Sequence, residues 1–123
     1  MEVYEECRKE MKTVEILGTG YKYDINSADL SLLNSLDGVC LVFDKEIYVR
    51  DKSLISGQSE EARSYRREHV IRHELIHAIS QECGVNYGED EALVDWIAHI
   101  IPIVNKAFGE MKYGDNEGSQ SSI

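Results

Sequence analysis

Residues 70–79 read Val70-Ile71-Arg72-His73-Glu74-Leu75-Ile76-His77-Ala78-Ile79, and how this stretch is read decides the fold. It lies within a segment, 60–83, that holds neither Pro nor Gly. Ser59 precedes Glu60 and Glu61, an N-cap followed by acids where the helix dipole favours them. Gly84 suits a helix C-terminus. The segment therefore predicts one helix over 60–83. On that helix His73 and His77 stand one turn apart and project from one face. Two imidazoles on a rigid scaffold are half of a zinc site. Glu74 lies about 100° further round the helix, near such a metal without having to bind it. That is where a base stands to take a proton from metal-activated water. Apolar Val70, Ile71, Ile76, Ala78 and Ile79 surround the polar group, which then has to be satisfied by something.

A second helix is predicted from near Glu89, with Glu89, Asp90 and Glu91 in its first turn. Leu93, Trp96, Ile97, Ile100, Ile101 and Val104 recur at helical spacing, and Trp96 is read as core. Pro102 removes one backbone hydrogen bond and is expected to kink the helix. The link 84–88 is short, so the two helices are expected as antiparallel neighbours. Glu91 then folds back towards the histidines as a third ligand. Asp95, one turn later on the same face, is placed to orient a ligand imidazole through its other ring nitrogen. Three protein ligands with a position left for water is the form of a catalytic zinc site.

The first half reads as strands. Residues 13–17 and 21–25 flank Gly18-Thr19-Gly20 and predict a hairpin. A turn or short helix follows with Leu30, Leu32, Leu33 and Leu36. Residues 39–43 and 46–50 predict a second hairpin about Asp44-Lys45. The continuously apolar 39–43 is expected as a central strand. The alternating 46–50 is expected to be half-exposed or at an edge. The fold class is α+β.

The 123 residues make one domain, 1–113, and the polar stretch 114–123 reads as a flexible tail. A net charge of −10 argues against phosphate-backbone recognition, so no nucleic-acid partner is expected. No apolar run spans a bilayer. The N-terminus, 1–6, is acidic where a signal peptide is basic, so a cytoplasmic chain is expected. Cys7, Cys40 and Cys83 are widely spaced with no CxxC pair, and predict reduced, partly buried thiols.

The residues 71–78, followed by Glu91-Ala92-Leu93-Val94-Asp95-Trp96-Ile97-Ala98, resemble the gluzincin metallopeptidases, in which HExxH is followed by ExxxD. The chain is most similar to the small phage-encoded and ImmA/IrrE-like domains of mobile elements, over roughly a third of its length, from about Val70 to Phe108. The resemblance implies a minimal zincin, with a small antiparallel sheet over the active-site helix and a second helix bringing the glutamate. It implies that Glu74 is the base, and that an edge strand at 46–50 binds an extended peptide by strand addition. Some ImmA-type proteins cleave a repressor. The larger gluzincins carry a second lobe that this chain has no room for, and no helix-turn-helix module is evident.

The expected activity is zinc-dependent hydrolysis of a peptide bond in a protein or peptide. His73, His77 and Glu91 hold Zn2+, Glu74 is the base and Asp95 stands behind a histidine. Tyr87, Tyr65 and His99 are further candidates to contact substrate or stabilise an oxyanion. His69 extends the four-residue series but drifts about 80° from His77, and is read as a surface or supporting residue. Arg63, Arg66, Arg67 and Arg72, with Glu60, Glu61 and Glu68, are read as a solvated helix face. Two alternatives stand beside the peptidase. One is an acidic inhibitor module of a phage or mobile element that keeps the fold and acts by occupying a partner. The other is a subunit whose metal only ties the helices together.

Overall fold

The computed structural model describes residues 11–121. Cys7, the acidic stretch 1–6 and residues 122–123 lie outside the described residues. Strands β1 (Lys12–Ile16) and β2 (Thr19–Ser27) form the first hairpin. Its loop is two residues rather than three. Leu17 and Gly18 both take positive φ, 50° and 87°, the backbone of a turn whose twist matches the strands. A short helix, α1 (Leu30–Leu33), leads to β3 (Gly38–Leu41) and β4 (Glu46–Arg50). Asp29 starts α1 by accepting from the Ser31 and Leu32 amides, each at 3.1 Å.

The sheet runs β1-β2-β4-β3, which corrects two expectations. It is mixed, because β2 and β4 pair in parallel, Tyr23 opposite Ile47, between two antiparallel pairs. The alternating strand 46–50 is also interior, and the apolar run is at the edge. Every residue of β4 is buried. Its polar positions find partners inside the molecule: Tyr48 donates to Glu46 at 3.0 Å, and Arg50 donates to the carbonyls of Asn34 and Leu36 at 2.9 and 2.8 Å, while its Nε makes no hydrogen bond and stands 3.5 Å from Asp37 Oδ1. Alternation therefore marks two differently filled faces here, not one dry and one wet. In the apolar run only Gly38–Leu41 is strand. Val42 and Phe43 enter the turn, where Phe43 is 90% exposed.

Helix α2 (Glu60–Glu82) crosses the sheet. Ser59 caps it by accepting from the Ala62 amide at 3.1 Å, and Gly84 leaves it at φ +71°. Its Ala78 joins Ile16, Tyr21, Ile47 and Val49 in the core, with Val70, Ile71 and Leu75 packed alongside. The far end of α2 is tied to both hairpin turns through Glu82. Its carboxylate accepts from Thr19 at 2.6 Å, Tyr21 at 2.7 Å and Lys45 at 2.7 Å. These donors, Lys45 first, pull the Glu82 carboxyl down to about 2.

The arginines are more than a solvated face, although Arg66 is itself exposed. Arg63 donates to the Gly57 carbonyl, Arg66 pairs with Asp37 at 2.9 Å, Arg67 reaches the Ile25 carbonyl and Asn26, and Arg72 reaches the Ala98 carbonyl. Each fastens α2 to another part of the chain. These partners lie at distant positions, which local charge pairing does not register.

A 3-10 turn (Tyr87–Glu89) leads to α3 (Glu91–Ser121), whose first turn is capped by Asp90 accepting from the Leu93 amide at 3.1 Å. The helix includes residues 114–121, which the sequence reading set apart as a tail. It packs on α2 through Val94 and Ala98, both fully buried. Trp96 is 58% exposed and is not core: two residues from each of these contacts, it points away from α2. Pro102 lies inside α3 and leaves the Ala98 carbonyl without its i+4 amide. Arg72 supplies the missing donor, Nε to Ala98 O at 3.0 Å. Among the described residues, no helix is long and apolar enough to cross a membrane.

Candidate metal centre

The helix register brings His73, His77 and Glu91 together. His73 Nε2 lies 2.9 Å from Glu91 Oε2, His77 Nε2 lies 3.0 Å from Glu91 Oε1, and the two Nε2 atoms are 3.2 Å apart. Two imidazoles and one carboxylate from two helices thus face one point, each histidine meeting a different oxygen of Glu91. Atoms bound to a tetrahedral zinc at about 2.1 Å stand roughly 3.4 Å from one another, so these groups need move apart only by about half an ångström or less to surround an ion. The group could hold a metal ion. Burial, the largest influence, keeps His77 below its ordinary pKa, with Glu91 opposing and His73 adding. That favours the neutral imidazole, the form that binds metal.

The supporting contacts have a clear order. Asp95 Oδ1 is 3.4 Å from His73 Nδ1 and 2.7 Å from His69 Nε2. The aspartate therefore backs His73, as expected, but takes its shorter bond from His69, which lowers its pKa. His69 is a neighbour of the site through Asp95, and with His73 and Asp95 it forms a second grouping able to hold a metal. On the other side, the His77 imidazole bonds the backbone of Gly88. Gly88 is held by its amide donating to Ser80 Oγ at 2.9 Å, while Ser80 donates to the Val85 carbonyl at 2.9 Å. A Cβ on Gly88 would come within 3.4 Å of His77 Nδ1 and 3.2 Å of Ser80 Oγ. The sequence reading did not single out Ser80 or Gly88. The only sequence signal was the Gly of the link.

Glu74 is buried, 7% exposed, against the edge strand. Burial raises its carboxyl to about 7, with His73 opposing and Glu91 adding to the rise. Gly38 makes room for it. A Cβ there would lie 3.1 Å from Glu74 Oε2 and 2.6 Å from Val70 Cγ1. Gly38, like Ser80 and Gly88, was not singled out by the sequence reading.

Open space flanks the metal group on both sides along β3. One cavity, about 440 Å³, is bounded by Leu36, Gly38, Tyr65, His69, His73 and Glu74. The other, about 900 Å³, is bounded by Cys40, Phe43, His77, Val85 and Tyr87. Tyr65 and Tyr87 thus each border the site, 60% and 64% exposed. His99 is exposed and borders neither cavity. The strand 46–50 has no open edge to offer a peptide, and on this side of the sheet the open edge is β3. Cys40 is half-buried, its thiol pushed up to about 12 by burial and by Glu74, whereas Cys83 is exposed. No family model, curated protein or solved structure matches this chain.

Proposed function

We propose that this chain is a zinc-dependent peptidase of minimal gluzincin type. The observation that carries the reading is the convergence of His73, His77 and Glu91 beside a buried Glu74, with open space along a sheet edge. His73, His77 and Glu91 would hold the ion. Zinc bound there supplies Lewis acidity, polarising the substrate carbonyl and making water more acidic. The chain's own residues do the rest. An extended peptide lies along β3, with its backbone groups meeting the strand's unpaired edge. Glu74, buried beside the group, takes a proton from the water and passes it to the departing amine nitrogen. Asp95 and Gly88 hold the two imidazoles in orientation through their other nitrogens.

The test begins with metal content of protein purified without chelator or a His-tag. Near-stoichiometric zinc is expected in wild type, lost in His77→Ala and in Glu91→Ala. Zinc at a hundredfold excess over Kd should then stabilise wild type by about 2.7 kcal/mol. With an unfolded protein as substrate, Glu74→Gln should keep zinc and lose hydrolysis by about 10²–10⁴-fold. Absence of metal uptake by wild type would remove the reading and leave the acidic binding module in its place. Equal cleavage by Glu74→Gln would remove the base.

A further inference from the structure

The second half of α3 packs on nothing among the described residues. From Pro102 to Gly114 every residue but Gly109 is exposed. The helix contacts of α3 are with α2 and the 3-10 turn, through its first turns. Yet this projecting half is not polar. Ile97, Ile101, Val104, Phe108 and Met111 succeed one another at steps of four, three, four and three, the seam spacing of paired helices. Ile100 and Ala107 widen the stripe on one flank. Val104, Phe108 and Met111 are 56%, 65% and 74% exposed, and Trp96 and Ile103 at its border are each 58% exposed. By helical geometry the stripe is centred about 100° away from Ala98, so its outer part, Val104, Phe108 and Met111, is not covered by α2. A solitary helical arm in water gains little from its backbone alone and draws its stability from packing an apolar face.

We infer that α3 is a dimerisation arm, and that its occupant is the same stripe of a second copy. Two features favour a second copy over another partner. The seam is uniformly apolar, with charges only on its flanks and back, so it calls for a similarly apolar face and not a charged one. It is also long enough. Val104, Phe108 and Met111 of the seam, with Trp96 and Ile103 at its border, are each more than half exposed and together present roughly 500 Å² per copy. With the stems of the flanking residues this approaches the ~800 Å² per partner of a stable interface. Pairing about a two-fold axis lets one patch serve both copies. The metal centre lies on the other side of α3, where Glu91 and Asp95 face α2, so pairing leaves the cavities along β3 open.

Sedimentation equilibrium on the full chain tests this without reference to the metal. Wild type is expected at twice the chain mass of 14.0 kDa at micromolar loading. Phe108→Glu and Val104→Glu are expected to halve that mass while keeping the far-ultraviolet spectrum of the folded domain. Tyr113→Glu alters a residue equally exposed, 68%, but about 180° round the helix from Val104, and should leave the dimer intact. A wild type that stays monomeric at near-millimolar loading overturns the inference, whether because residues 1–10 cover the stripe or because a different protein does. An oligomer that persists in both stripe variants, or is lost in Tyr113→Glu, overturns it as well.

Discussion

The pairing of Arg72 with Pro102 carries a prediction that can be worked through. Pro102 has no amide to give Ala98, and the Ala98 carbonyl belongs to a residue with no solvent exposure. Arg72 Nε fills the vacancy at 3.0 Å. Arg72→Met keeps most of the aliphatic stem and removes the donor, which leaves a buried acceptor unsatisfied. The expected loss is about 2 kcal/mol, within the range for such groups, or roughly 8 °C in Tm at this chain length. Pro102→Ala restores the helix's own amide, so it should stabilise by about 1 kcal/mol. In that background Arg72→Met should cost only about 0.5 kcal/mol, because the carbonyl already has a donor. The assay is a double-mutant cycle by urea unfolding, with a coupling energy near 1.5 kcal/mol expected. Since this bond also seats α3 against α2, zinc affinity should fall in Arg72→Met and recover in the double variant. Independent sites add to within about 0.5 kcal/mol. If Arg72→Met costs the same in both backgrounds to within that margin, Arg72 is not substituting for the missing amide.

Gly38→Ala forces a methyl to within 2.6 Å of Val70 Cγ1, a β-branched side chain in a helix that cannot turn aside. A net loss of about 1–2 kcal/mol is expected, partly recovered by Val70→Ala, and thermal melts of the three variants decide it. The depressed Glu82 carboxyl gives the fold an acid limit. Its contribution is complete above the unfolded carboxyl range near 4.3 and is lost as pH falls towards about 2. Tm of wild type should therefore drop over that window, and Glu82→Gln should be lower at neutral pH with a flatter profile. Parallel profiles would remove Glu82 as the cause.

The helical half of the molecule was legible because its signals are local. Ser59, the acids after it and Gly84 set the ends of α2, and a four-residue step is enough to put His73 and His77 on one face. The short link made the helices neighbours, which brought Glu91 and Asp95 to the right histidines. Other features depended on residues far apart in the chain. Trp96 follows a helical apolar pattern but faces away from α2, because small Ala98 and Val94 take the contact. His69 reads as a surface or a supporting residue, and only Asp95, arriving from the other helix, decides for the second. Gly38, Gly88 and Ser80 matter only through what packs against them.

What the residues by themselves determined was the set of groups at the candidate site and the elements that carry them, because periodicity and capping act within a few residues. The tertiary structure alone decided the order of the strands. It placed β4 inside, where Arg50 and Glu46 find partners that no local pattern announces, and left β3 as the open edge beside Glu74. A backbone amide or a buried charge needs a partner somewhere in the fold, and chain proximity does not say where. The same reason makes the arginines of α2 fastenings, and lets a proline sit inside α3.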